Sequence, residues 1–271
     1  MPAEFLTWAI LALRPDWQPE TCERDFATDA AREKCAAERD EGAAWAAELA
    51  GYIETEAERQ DLDLLLMVAV AYRESHFRSG DVCRIEIAAE RIVSRTPLED
   101  GAEAVTMTYR ADPSRTSTVN VIVLAERADG TLEVDRCSAG EIGLFQLVAT
   151  EARAGQIVPA TGEELPRNAG ERRQRVLEPL VNVSLAAVAL DAARTWQCEV
   201  QPSAEAVARC EADPWSWIGL YNSGRRSGAA WRRYARYVST TYATALDYAC
   251  EKMPDAAACP ADETPEAGPA E

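Results

Sequence analysis

The chain has 271 residues, with 46 acids against 28 bases, eight Cys, one His and a formal net charge of −18. A hydrophobic content of 47% with seven Trp and eight Tyr fits a globular protein: one large domain, or a domain with an appendage. The charge argues against nucleic acid as the main partner and against adsorption to anionic lipid, and one imidazole, His76, excludes sites that need two, such as HExxH zinc proteases.

In chain order, the opening MPAEFLTWAILALRP has a short apolar stretch, no basic lead and no small-residue cleavage site, so it makes a poor signal peptide. Residues 23–60 are rich in Ala, Glu and Arg and predict one or two helices. Residues 61–77 carry LDLLLMVAVAY, apolar nearly all round, as expected of a core helix. A further helix is expected over 84–95. The period changes over 103–136, where AVTMTYR, TVNVIVLAER and a turn at Asp129-Gly130 predict a three-stranded antiparallel sheet. Residues 141–155 read as helix and 156–174 as a polar loop. VLEPLVNVSLAAVALDAARTW, 204–212, 215–222 and 229–250 return to helical period. The acidic, Pro-rich end beyond Cys259 has the composition of a disordered tail. No run is long and apolar enough for a membrane span.

The cysteines are Cys22, Cys35, Cys83, Cys137, Cys198, Cys210, Cys250 and Cys259, with no CxxC pair. Their even number points to disulfides and an oxidising, extracytoplasmic compartment rather than a zinc ribbon. Sequential pairing would join 22–35, 83–137, 198–210 and 250–259.

Glu74 ends the most apolar helix, on the face of Leu66, Met67, Val70 and Ala71. Withdrawal of a carboxyl from water favours its protonated form, which suits a general acid. A salt bridge to Arg73 or Arg78 at a frayed helix end is the plainer alternative. Three segments bear on the choice: Glu74-Ser75-His76-Phe77, then Gly140-Glu141-Ile142-Gly143-Leu144-Phe145-Gln146, then Leu220-Tyr221-Asn222-Ser223-Gly224. In this order they resemble the ESxF, GAxGLMQ and AAYNAG segments of the soluble lytic transglycosylases, a lysozyme-like family related to goose lysozyme. Pro179 to Leu190 is similar to a further helix of that family. The resemblance spans about residues 60–250, interrupted by the β-rich stretch.

The resemblance implies a mainly α, lysozyme-like domain over 59–252 with a small antiparallel β insertion at about 84–136. A helical segment over 1–58 precedes it, and an acidic tail over 253–271 follows. It implies cleavage of the MurNAc-β-1,4-GlcNAc bond of peptidoglycan, with Glu74 as general acid and then base, closing a 1,6-anhydromuramoyl ring. Ser75, Gly143, Gln146, Tyr221 and Asn222 would line the glycan cleft, with no cofactor and no metal. Departures from the pattern are Glu141 in place of Ala, Val148-Ala149 in place of Met-Pro, and Cys137 where a Ser often stands. Glu141, Asp129 or Asp135 could supply a second carboxylate and make the reaction a lysozyme-type hydrolysis. A catalytically silent wall-binding protein is a further alternative. Its feature would be 215–246, which holds Arg225, Arg226, Arg232, Arg233 and Arg236 among many aromatics and no acid. These residues are suited to sugar faces and wall carboxylates.

Overall fold

The computed structural model describes residues 3–18, 21–22, 28–77, 84–88, 91–97, 103–108, 118–126, 130–135, 142–148 and 151–259. Among these the protein is mainly helical, with one antiparallel sheet. Contacts divide the chain into two compact units, Met1–His76 with Ala187–Glu271, and Phe77–Ala186. No single helix among the described residues is long and apolar enough to cross a membrane.

In the first unit, helix α1 (Ala3–Leu13) buries Phe5, Leu6, Ala9, Ile10, Leu11 and Leu13. Helix α2 (Asp29–Gln60) starts at Thr28, whose side chain accepts from the Ala31 amide at 3.2 Å. It stops at Asp61 in the left-handed region. Its first half is largely exposed, while Ala46, Leu49, Ala50, Ile53 and Ala57 face the core. Gly42 lies against the Trp17 ring, where a Cβ would come within 2.2 Å. The Arg194 guanidinium donates to the Asp61 and Gln60 carbonyls at 2.6 and 3.0 Å and so satisfies the end of α2.

Helix α3 (Leu64–Ser75) follows at once. Asp63 caps it by accepting from the Leu66 amide at 2.9 Å, and Leu65 to Ala71 are all fully buried. An all-round apolar helix must be wrapped by other elements, and α1, α2 and α8 (Ala229–Lys252) supply the wrapping. Helix α8 turns Tyr234, Ala235, Val238, Thr241, Ala245 and Ala249 inward at helical spacing. Helices α6 (Ala204–Ala212) and α7 (Gly219–Ser223) complete this unit with the later part of α5 (Pro179–Cys198).

The second unit holds a five-stranded antiparallel sheet: β1 (Arg84–Ile87), β2 (Ile92–Pro97), β3 (Glu103–Thr108), β4 (Thr118–Glu126) and β5 (Leu132–Asp135). The strand order is β1-β5-β4-β3-β2. Ile87, Val105, Leu132 and Val134 form its buried face, joined by Ile92 and Val123. The helix expected over 84–95 is therefore corrected to two strands, and the three-stranded sheet to five. Ala88, Ala89 and Glu90 favour helix locally, but Ile85 and Ile87 alternate and pair in register with Val134 and Leu132. Sheet partners distant in sequence override a local preference.

The helix expected over 141–155 is also corrected. Its described residues form turns, closed by a bridge between Ile142 and Leu147. Gly143 and Gln146 both have positive φ, 73° and 51°, which no α-helix accommodates. The loop expected over 156–174 gives way at Ala169 to helix α4 (Ala169–Leu177). Pro179 then opens α5, whose axis turns by 92° from that of α4.

Disulfides join Cys22–Cys35, Cys198–Cys210 and Cys250–Cys259 as expected. Cys83 and Cys137, the fourth expected pair, lie outside the described residues, as does the expected disordered tail beyond Cys259.

One buried side chain organises the glycine-rich turn of the second unit. Asn182 accepts from the Phe145 amide at 2.9 Å and donates to the Ile142 and Val176 carbonyls at 2.9 and 3.0 Å. It is fully buried, so its removal takes one hydrogen bond from each of three groups shielded from water. Asn182→Ala is expected to cost about 3 kcal/mol in urea unfolding. It should also abolish slow hydrogen exchange at the Phe145 amide, and unchanged protection there would refute this role.

Candidate active site

Glu74 occupies the last turn of α3, directly after the buried run, and is partly exposed. It lines an open cleft of about 320 Å³ with Arg73, Asn222, Ala230, Arg233, Tyr234 and Tyr237. Tyr234 donates its hydroxyl to Glu74 Oε1 at 2.6 Å. This residue belongs to none of the motifs. The available signal was its place in the inward stripe of α8, eight residues before Tyr242, whose hydroxyl donates to Asp63 Oδ2 at 3.1 Å. Asp63 and Glu74 bracket α3, so two tyrosines of α8 hold both ends of the same antiparallel partner.

Burial pushes the Tyr234 phenol well above its ordinary ionisation range. The neighbouring Glu74 carboxyl and then Tyr221 push the same way, and Arg73 opposes them. The phenol is thereby kept protonated, a permanent donor to the carboxyl. Burial and then Asp63 raise Tyr242 likewise. The Arg73 guanidinium lies 4.7 Å from the centre of the Tyr237 ring.

The helix carrying Tyr221 and Asn222 is short and is held by packing rather than by its own length. Gly219 sits against Trp231, where a Cβ would meet the ring at 2.5 Å. Gly224 ends the helix at φ 61° as a left-handed cap, and the Ser223 hydroxyl donates to the Gly219 carbonyl at 2.6 Å. Asn222 is exposed and faces the Glu74 cleft.

Ser75 is buried, and its hydroxyl donates to the Ala71 carbonyl at 3.1 Å. His76 then closes α3 in the left-handed region, and its own carbonyl accepts from Arg14 at 3.0 Å. Gly143 and Gln146 belong to the second unit. There Gln146 Nε2 donates to the Gly143 carbonyl at 2.6 Å, and a Cβ at Gly143 would come 2.4 Å from Asn182 Nδ2. The glycine is thus required by the Asn182 clamp itself. The structure therefore brings Glu74, Asn222 and Tyr234 together in one cleft, with Tyr221 beside Tyr234, and sets Gly143 and Gln146 in the glycine turn.

Of the acids considered as second carboxylates, Glu141 and Asp129 lie outside the described residues and Asp135 stands on β5. Among the described residues lining the cleft, Glu74 is the one carboxylate. No cluster of three His, Cys, Asp or Glu residues suited to a metal ion occurs among the described residues. No protein-family model, curated protein or solved structure matches the chain.

The raised phenol has a thermodynamic sign. Tyr234 holds its proton more tightly when folded than when unfolded, so its contribution is complete below about pH 10 and is lost as pH rises beyond it. Tyr234→Phe is expected to lower stability near neutrality by about 2 kcal/mol. It should also make the loss of stability above pH 10 shallower, with Tyr242 accounting for part of what remains. Urea unfolding across pH 7–12 checks this, and parallel curves for parent and variant would contradict it.

Proposed function

We propose that the protein is a peptidoglycan lytic transglycosylase of lysozyme-like type, acting outside the cytoplasm on the MurNAc-β-1,4-GlcNAc bond of glycan strands. The observation that carries this reading is a single one. Glu74, in the ESxF-like segment, shares an open cleft with Asn222 of the YN-like segment and is held by a buried phenol at 2.6 Å. Three disulfides agree with an oxidising compartment.

In this reading Glu74, protonated, gives its proton to the glycosidic oxygen as the C1–O bond breaks. The substrate's own N-acetyl oxygen stabilises the developing positive charge. The resulting carboxylate then takes the proton of the muramoyl 6-hydroxyl, whose oxygen attacks C1 and closes the 1,6-anhydro ring. One carboxyl serves both steps, which suits a cleft whose described lining holds one. Tyr234 acts as a positioning residue, donating to one carboxyl oxygen and fixing the rotamer. Asn222 and Tyr221 are assigned to the sugar and its acetamido group. Ser75 supports the helix end.

Glu74→Gln should lower turnover at least ~10²-fold, because the amide can neither give nor recover the proton. Folding and binding to insoluble peptidoglycan should persist. Mass spectrometry of the products should find 1,6-anhydromuramoyl ends. Reducing ends would make the protein a hydrolase, and a variant retaining more than about a tenth of the rate would remove Glu74 from the chemistry.

A further inference from the structure

Beside the Glu74 cleft lies a second hollow of about 360 Å³, lined by Ala229, Arg232, Arg233, Arg236 and Tyr237. The two share Arg233 and Tyr237, so they form one continuous surface. The spacing 229, 232/233, 236/237 places these residues on one face of α8. Arg232, Arg233 and Arg236 are all exposed, and no carboxylate among the described residues lies within ion-pairing distance of them. Arg73, across the shared surface, has its Nε buried without a hydrogen-bond partner.

This grouping is electrostatically unfavourable for the isolated chain. Three like charges crowd the first two turns of α8, near the positive end of the helix dipole, and α8 has no acid before Asp247. The net charge of −18 leaves many acids that could have neutralised them. Arg226 shows the contrast: it pairs with Glu199 at 2.9 Å and lies 4.5 Å from the centre of the Trp196 ring. It is therefore committed away from this surface. The forked donors of the uncommitted arginines match planar carboxylates.

We propose that the Arg232–Arg233–Arg236 face binds carboxylates of the peptide stems borne by the strand whose sugars occupy the Glu74 cleft. The protein then prefers peptide-bearing strands to strands stripped of peptide. This inference rests on the glycan-cleaving reading and adds a specificity to it. Shared lining with the cleft is the reason to assign the anion to the same polymer rather than to a separate ligand.

The test uses the full chain and two substrates: glycan strands freed of wall phosphate polymers, with peptides intact, and the same strands after amidase removal of the peptides. Arg232 and Arg236 lie outside the Glu74 cleft, so the double variant R232Q/R236Q leaves that lining in place. The expected result is a rise in KM of about five- to tenfold on peptide-bearing strands at low salt, with kcat unchanged. On stripped strands the change should stay below about twofold. Added salt should shrink the parent's advantage. Binding of the same strands to Glu74→Gln chains with and without the arginine changes should follow the KM pattern. Equal effects on both substrates, or none on either, would overturn the inference while cleavage of stripped strands by the parent keeps the glycan-cleaving reading. If the parent cleaves and binds neither substrate, both readings fall.

Discussion

Two phenol-to-carboxyl hydrogen bonds hold α8 along α3, and the candidate site depends on them. Tyr242 meets Asp63 at the start of α3, and Tyr234 meets Glu74 at its end. Between these points α3 has no polar side chain in its first eight positions, so that stretch is held by apolar packing alone. Directional bonds at both ends set the register. They also decide which helix face carries the cleft: Arg233 and Tyr237 come beside Glu74 because Tyr234 is pinned there.

The same arrangement separates two electrostatic environments within an acidic chain. Under the cleft, burial and a neighbouring carboxyl keep the Tyr234 phenol protonated, so it remains a donor. On the outer face of α8, arginines stand without acids and offer a local positive field within a chain of net charge −18. Under the proposed reading such a patch would give an acidic protein local attraction for an anionic polymer, since screening limits longer-range attraction to about 10 Å.

The glycine turn follows a different logic. Its conformation is decided by Asn182, forty residues from Ile142, which fills the space a side chain at Gly143 would need. Gln146 then closes the turn onto the Gly143 carbonyl. The motif's glycine and glutamine are both explained by backbone conformation and hydrogen-bond satisfaction, before any ligand is considered.

Local pattern by itself determined α3, α5 and α8 by their apolar content and period, α2 by its Ala-, Glu- and Arg-rich composition, and β3 to β5 by their β-branched residues. The even cysteine count pointed to disulfides, and three of the sequential pairs are present, closing short loops between neighbours in sequence. Glu74 was legible because an acid after an apolar run must emerge at the edge of a core. Tertiary structure alone decided β1 and β2, whose pairing with β5 and β3 overrides the helical preference of the local sequence. It alone decided that Tyr234 rather than any motif residue would hold Glu74 Oε1, and that Arg232 and Arg236 would be uncommitted while Arg226 paired with Glu199. A side chain's period tells which face it occupies; only the packed helices tell which group waits on the other side.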